Sequence, residues 1–232
     1  MQHGSAPASL VVWAAEAIPT PAPMRVARIT IDLMRPVPLK PLTIEREVLR
    51  EGRKIQLCAI RLRADGVLVV AATVLKVRLQ REVLPGDVSG PPVELPSPEL
   101  SPEDPAQFSN SPFVTGMQLR AARGKFGVPG PGAIWYRVKR PLVEGAAVSQ
   151  AVRAVVAADF CNGTSAALDF RHWIFLNADL TVSMAREPVG EWILLDAESW
   201  IGPDGAGLAM ARLADMHGYF GRAAQSLVID KR

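Results

Sequence analysis

The sequence predicts an α+β fold built from one repeated unit, a long apolar helix followed by antiparallel strands. Two observations carry this. Each half of the chain holds a helix-like apolar run with strand-like segments of period two behind it. The halves also match one another at an offset that drifts only from about 151 to 153 residues. Composition leaves room for such a core: of 232 residues, 49% are apolar and 21% charged, with a mean hydropathy of +0.15. That is well outside the disordered class.

The first helix is expected over 6–17 (APASLVVWAAEA). Ser5 stands where it can cap it, Pro7 falls in the first turn where its missing N–H costs nothing, and Pro19 ends it. Residues 25–34 (RVARITIDLM) and 42–50 (LTIEREVLR) alternate apolar with polar, and the three prolines of RPVPLKP between them forbid ladder pairing there. Segments 55–63 and 67–77 flank Asp65-Gly66, a pair suited to the left-handed backbone of a two-residue hairpin. Glu82–Pro112 follows, with eight prolines in 31 residues, and reads as an extended linker. The chain thus divides into a first repeat over 1–81, incomplete at its N-terminus, a linker over 82–112 and a second repeat over 113–232. In the second repeat, strands are expected over 117–126 and 133–140. A helix is expected over 147–159, opened after Gly145 and closed by Cys161-Asn162-Gly163. Four further segments, 173–186, 191–200, 209–213 and 221–228, are rich in strand formers.

Residue by residue, Ile29-Thr30-Ile31 matches Leu180-Thr181-Val182, Gly52 matches Gly205, Gly66 matches Gly218, and Ala71–Leu75 matches Ala223–Leu227. A helix with three or four antiparallel strands, duplicated in one chain, is the order of a double hot-dog: two curved sheets, each wrapped around its own long helix. Sheets abutting edge to edge would give each other's edge strands a partner.

Composition excludes several classes of function. The 26 Lys and Arg against 23 Asp and Glu are scattered, with no basic run and no aromatic–basic strand, so nucleic acid is not an expected partner. The apolar stretch 6–18 is too short and too interrupted to span a bilayer. Two cysteines, Cys58 and Cys161, make neither a CxxC nor a disulfide framework, and His3, His172 and His217 show no metal spacing. A cytoplasmic chain that needs neither metal nor cofactor is expected.

Eight segments then carry a resemblance. ADFCNG at 158–163, FLNADLTVSMAREP at 175–188, GEWILLDAES at 190–199, GPDGAGLA at 202–209 and GRAAQSL at 221–227 are similar to the second half of the acyl-CoA thioesterase II (TesB-like) double hot-dog family. HGSAPASL at 3–10, DLMRPVP at 32–38 and REGRKIQ at 50–56 resemble its first half. The resemblance implies hydrolysis of fatty acyl-CoA by a water that an Asp, a Ser or Thr and a Gln position. Carried onto this chain, these are Asp179, Ser199 and Gln225, with Trp200 in place of Ser199 if the strand shifts by one residue. In the matching positions of the first half stand Arg28 and Thr73, so one competent site per chain is expected, in the second repeat.

The residue types suit that chemistry. A thioester carbonyl is electrophilic enough for a water held by two polar groups and partly deprotonated by a carboxylate. Backbone N–H groups at Gly145 and Ala146, ahead of the second helix, are the expected oxyanion donors. Plainer readings stand beside these. Asp179 sits in Asn-Ala-Asp, which suits a turn for backbone reasons alone, and Asp159 reads as a structural cap at the helix end. Trp192 and Trp200 are read as core rather than acyl-pocket lining. Acyl-thioester binding without turnover is the alternative function, and a dehydratase is more distant because no His lies in the helix region. A homodimer or larger homo-oligomer is expected, covering what a short N-terminus leaves exposed.

Overall fold

The computed structural model describes residues 1–80, 90–104 and 111–232. The first half is α1 (Ser5–Glu16) followed by β1 (Met24–Leu33), β2 (Thr43–Glu51), β3 (Ile55–Ala64) and β4 (Val67–Arg78). The second is β5 (Met117–Arg123), β6 (Gly132–Val138), α2 (Gln150–Ala158) and the single turn α3 (Cys161–Thr164). It continues with β7 (Trp173–Asn177), β8 (Asp179–Met184), β9 (Trp192–Ile201), β10 (Ala206–Asp215) and β11 (Gly218–Lys231).

The described strands form one eleven-stranded sheet in the order β2-β3-β4-β1-β8-β11-β10-β9-β6-β5, with β7 beside β11. Its centre is the antiparallel seam β1–β8, where Thr30 lies opposite Thr181 and Asp32 opposite Asp179. Thr30 and Thr181 are the residues the sequence repeat equates. Repeat mates facing one another across an antiparallel seam define a local two-fold axis, so the duplication and the seam describe one symmetry. The chain is a double hot-dog.

Helices α1 and α2 lie antiparallel inside this sheet. Ser5 Oγ near the start of α1 donates to the Val156 carbonyl of α2 at 3.1 Å, and Ser149 Oγ at the start of α2 donates to Glu16 at the end of α1 at 2.8 Å. Both helices are apolar almost all round. Val11, Val12, Val155 and Val156 are fully buried against Ile29, Ile60, Val74, Val182 and Leu195, each such burial contributing about 1.5–3 kcal/mol. Helices this enclosed need small or β-branched side chains where they touch, and Ala and Val supply them.

Two elements differ from the sequence reading. Ser5 lies inside α1 rather than capping it. Gly4 is the N-cap residue, and the Ser5 hydroxyl is drawn to α2 instead. The run 173–186 is two strands broken at Ala178, because β7 and β8 pair with successive stretches of β11. The Asp65-Gly66 turn is as expected, with φ of 49° and 79°. Within the Pro-rich segment, 82–89 and 105–110 lie outside the described residues. Its described part, 90–104, packs on the outer face of the second half: Val93 and Leu95 lie against Trp135 and Leu194, and Trp135 Nε1 donates to the Pro96 carbonyl at 2.9 Å.

Candidate active site

Gln225 is the best-defined polar group of the core. It lies on β11 between Ala223 and Leu227 on the helix-facing side and is fully buried. A buried amide must find partners, and the α2–α3 junction provides them. Gln225 Oε1 accepts the Asn162 N–H at 3.1 Å, and Nε2 donates to the Asp159 carbonyl at 3.2 Å. Nε2 carries two hydrogens. The second has no further partner among the described residues.

Ser199 lies on the same side of the sheet. It is opposite Ala209, which is in turn opposite Gln225, so the two sit two strands apart, about 10 Å between backbones. Its hydroxyl is 2.7 Å from Ser165 Oγ, which donates to the Cys161 carbonyl at 3.0 Å. With the Ser165 proton committed there, Ser199 donates to Ser165 and offers only lone pairs to anything else. Trp200, the alternative, points the other way and is half exposed. Trp192 also faces outward, stacked under Arg137 and packed beside Trp135 rather than lining the interior.

Asp179 does not meet these two. Leu180, Val182 and Met184 fill the core, so by alternation Asp179 belongs to the outer face, where its register partner Asp32 is exposed. Its Oδ1 accepts the Ser226 N–H at 2.5 Å. The carboxylate therefore pins the strand beside Gln225, and no described contact joins it to Ser199 or Gln225. Gly145 and Ala146 are also displaced. They precede the N-terminus of α2, while Gln225 bonds its C-terminal end, roughly 13 Å away along nine residues of helix.

The carboxylate that does meet Gln225's surroundings is Asp159, read from the sequence as a structural cap. It is the C-cap of α2 and is 5% exposed. One carboxylate oxygen accepts from Ser5 Oγ at 2.9 Å and lies 3.1 Å from His3 Nδ1, and the other accepts from Asn177 Nδ2 at 3.2 Å. The C-terminal end of its own helix disfavours this negative charge, but the start of α1 favours it. Gly4 makes the approach possible. A Cβ there would lie 2.6 and 2.8 Å from the two carboxylate oxygens.

His3 is the residue the sequence reading missed. It stacks on Phe113, at 5.2 Å between centroids, and lies tilted against Phe160, at 4.7 Å, and its side chain keeps 21% exposure. Spacing could not reveal it, because its partner belongs to the other repeat. The junction around Asp159 thus draws side chains from both halves of the chain. Burial, with the nearby Asp159 charge, pushes the Cys161 thiol up, and burial pushes the Tyr136 hydroxyl well up. Both stay protonated, and Cys161 is not a nucleophile.

Family comparison agrees with this architecture. The model of the acyl-CoA thioesterase N-terminal domain matches residues 1–77, and that of the acyl-CoA thioesterase C-terminal domain matches 92–229. A comparison with curated protein sequences finds no match. Among solved structures, a hot-dog protein of unknown function from Alicyclobacillus acidocaldarius is 16% identical with a TM-score of 0.75, over 98% of this chain and 86% of that one. An acyl-CoA thioesterase II, TesB2, from Mycobacterium marinum is 15% identical with a TM-score of 0.68, over 99% and 89%. A tesB protein from Mycobacterium avium subspecies paratuberculosis is 16% identical with a TM-score of 0.70, over 98% and 86%. At such identities the likeness speaks for the fold, and the family models speak for the kind of enzyme. The chain belongs to the acyl-CoA thioesterase family, thioester hydrolases built from paired N- and C-terminal hot-dog domains.

Proposed function

We propose that the chain hydrolyses acyl-CoA to a free acid and CoA where the start of α1 meets the end of α2, with Gln225 and Ser199 as its polar holders. The observation that carries this is the second Nε2–H of Gln225, an unclaimed donor on a rigidly held side chain in an apolar interior. Such a donor is pre-aimed and is worth more there than in water. It suits either the attacking water or the carbonyl oxygen on which charge develops. Ser199, an acceptor at the end of its hydroxyl chain, can orient a water proton. No covalent intermediate is required, because the thioester is already activated.

Asp179, which the family resemblance assigns as the base, acts in this reading by fixing β11 where it carries Gln225. Thiol release from short, long and aromatic acyl-CoAs tests the proposal. Gln225→Ala is expected to lower kcat by about 10²-fold or more, in line with loss of one transition-state donor, with the fold intact by circular dichroism. Saturable acyl-CoA binding without thiol release by the wild type would leave a binding module instead. We further propose a cytoplasmic homodimer. Two free buried cysteines suit a reducing compartment, and among the described residues no helix is long and apolar enough to cross a membrane.

A further inference from the structure

We propose that His3 is the general base of the hydrolysis and Asp159 the residue that positions it, an inference that rests on the hydrolytic reading above. The two come from different repeats and meet only where α1 and α2 run antiparallel. His3 Nδ1 lies 3.1 Å from a carboxylate oxygen of a residue that is almost wholly buried. A carboxylate cannot donate, so the attractive arrangement has the proton on Nδ1 and leaves the lone pair on Nε2. The other tautomer, with Nδ1 accepting the Ser5 N–H at 3.2 Å, sets that lone pair against the carboxylate. Nε2 has no partner among the described residues, and the ring is partly exposed. Phe113 stacks on the ring and Phe160 lies tilted against it, and together they restrain its plane.

The pair is also in the right place. Asp159 touches His3 with its side chain and Gln225 with its carbonyl, so one residue ties the proposed base to the proposed holder of the thioester. The alternatives are poorer. Asp179 is engaged on the outer face, and Cys161 and Tyr136, the other titratable groups packed around the pair from α3 and β6, remain protonated. In the step itself, the water oxygen bonds to the thioester carbonyl carbon as one water proton passes to His3 Nε2. The C–S bond then breaks, its electron pair leaves with sulfur, and the imidazolium returns the proton to give the free thiol. The second water proton stays with the carboxylic acid.

The experiment compares wild type, His3→Ala, His3→Phe and Asp159→Asn in thiol release from acyl-CoAs, with and without added imidazole, after subtracting the uncatalysed imidazole reaction. Both His3 variants are expected to lose kcat by about 10²–10⁴-fold, the usual worth of a positioned base, with KM little changed. Imidazole should restore part of the rate to His3→Ala, whose ring space is emptied, and none to His3→Phe, whose ring space is filled. Asp159→Asn should lower kcat less and gain nothing from imidazole. Wild-type kcat in either His3 variant, or no rescue of His3→Ala, overturns the assignment while leaving hydrolysis standing. Release of water rather than thiol from a 3-hydroxyacyl-CoA would overturn it too, as would a wild type that releases no thiol at all. The last result removes the hydrolytic reading itself, and so is told apart from an active enzyme with indifferent His3 variants.

Discussion

At the scale of single residues, Gly4 is where one added carbon does most. Its φ of −56° is open to any residue, so glycine is required for space alone, to let Asp159 reach His3 and Ser5. Gly4→Ala must push the carboxylate aside, because the contact it creates is below 3 Å on two oxygens. Loss of most thiol release together with about 1–3 kcal/mol of stability is expected, the usual cost of forcing extra volume into a packed site, read by kinetics and thermal unfolding. Asp179 separates two roles in the same assay. Asn keeps an oxygen that can accept the Ser226 N–H, so Asp179→Asn should hold kcat within about ten-fold of wild type, whereas loss of a base would cost 10²–10⁴-fold. Sequence legibility was uneven at this scale. Gln225 stood out as an amide in an apolar strand, and Asp179 and Ser199 followed from motif order. Asp159 reads in the sequence only as a cap and His3 only as an isolated histidine, because a pairing across two repeats leaves no trace in spacing.

At the scale of elements, the hairpin at the end of β10 depends on Asp215, which is fully buried yet charged. Burial alone pushes its carboxyl up, but Arg186, with bonds of 2.5 and 2.8 Å, and the N–H groups of Val189 and His217 more than offset that and hold it below the ordinary range. A carboxyl lowered in the folded state stabilises above its unfolded pKa and loses that contribution as pH falls through the folded value. Arg186→Met removes the main partner. Because Arg186 is itself partly exposed, a cost of about 2 kcal/mol at neutral pH is expected, with acid unfolding moved to higher pH in a circular-dichroism titration. Helix and strand identities were readable from periodicity, since each half alternates clearly and Asp65-Gly66 dictates its turn. The break at Ala178 was only half readable. Asn177-Ala178-Asp179 suits a turn, but the flanking residues continue the strand-forming pattern, and only the register against β11 places an extra residue there. The added turn α3 was hidden for a related reason: Cys161-Asn162-Gly163 looks like a stop, and it takes Gln225 on the neighbouring sheet to hold the Asn162 amide.

At the scale of the molecule, the repeat was the strongest signal, and the seam at Thr30 and Thr181 expresses it. The symmetry is incomplete in a way that bears on function. At the opposite end of the helix pair, Ser149 and Glu16 reproduce the contact of Ser5 with Asp159. The cavity there, about 310 Å³, is lined by Glu16, Arg25, Lys76 and Glu187, and the first half has Thr73 at the position that the repeat equates with Gln225. One reactive site per chain is the proposal that follows. The outer strand β2 is exposed along most of its length, including Val48 and Leu49, and its alternating Glu and Arg guard an open edge. Light scattering at micromolar concentration should give twice the 25.0 kDa chain mass, and a single-chain mass would refute the homodimer.

The most direct measurement is steady-state thiol release from a panel of acyl-CoAs by wild type and Gln225→Ala, each confirmed folded. Turnover by the wild type that falls by about 10²-fold or more in the variant, with KM nearly unchanged, is the predicted result. Equal turnover in both would place the chemistry away from the junction of α1 and α2 and contradict the account.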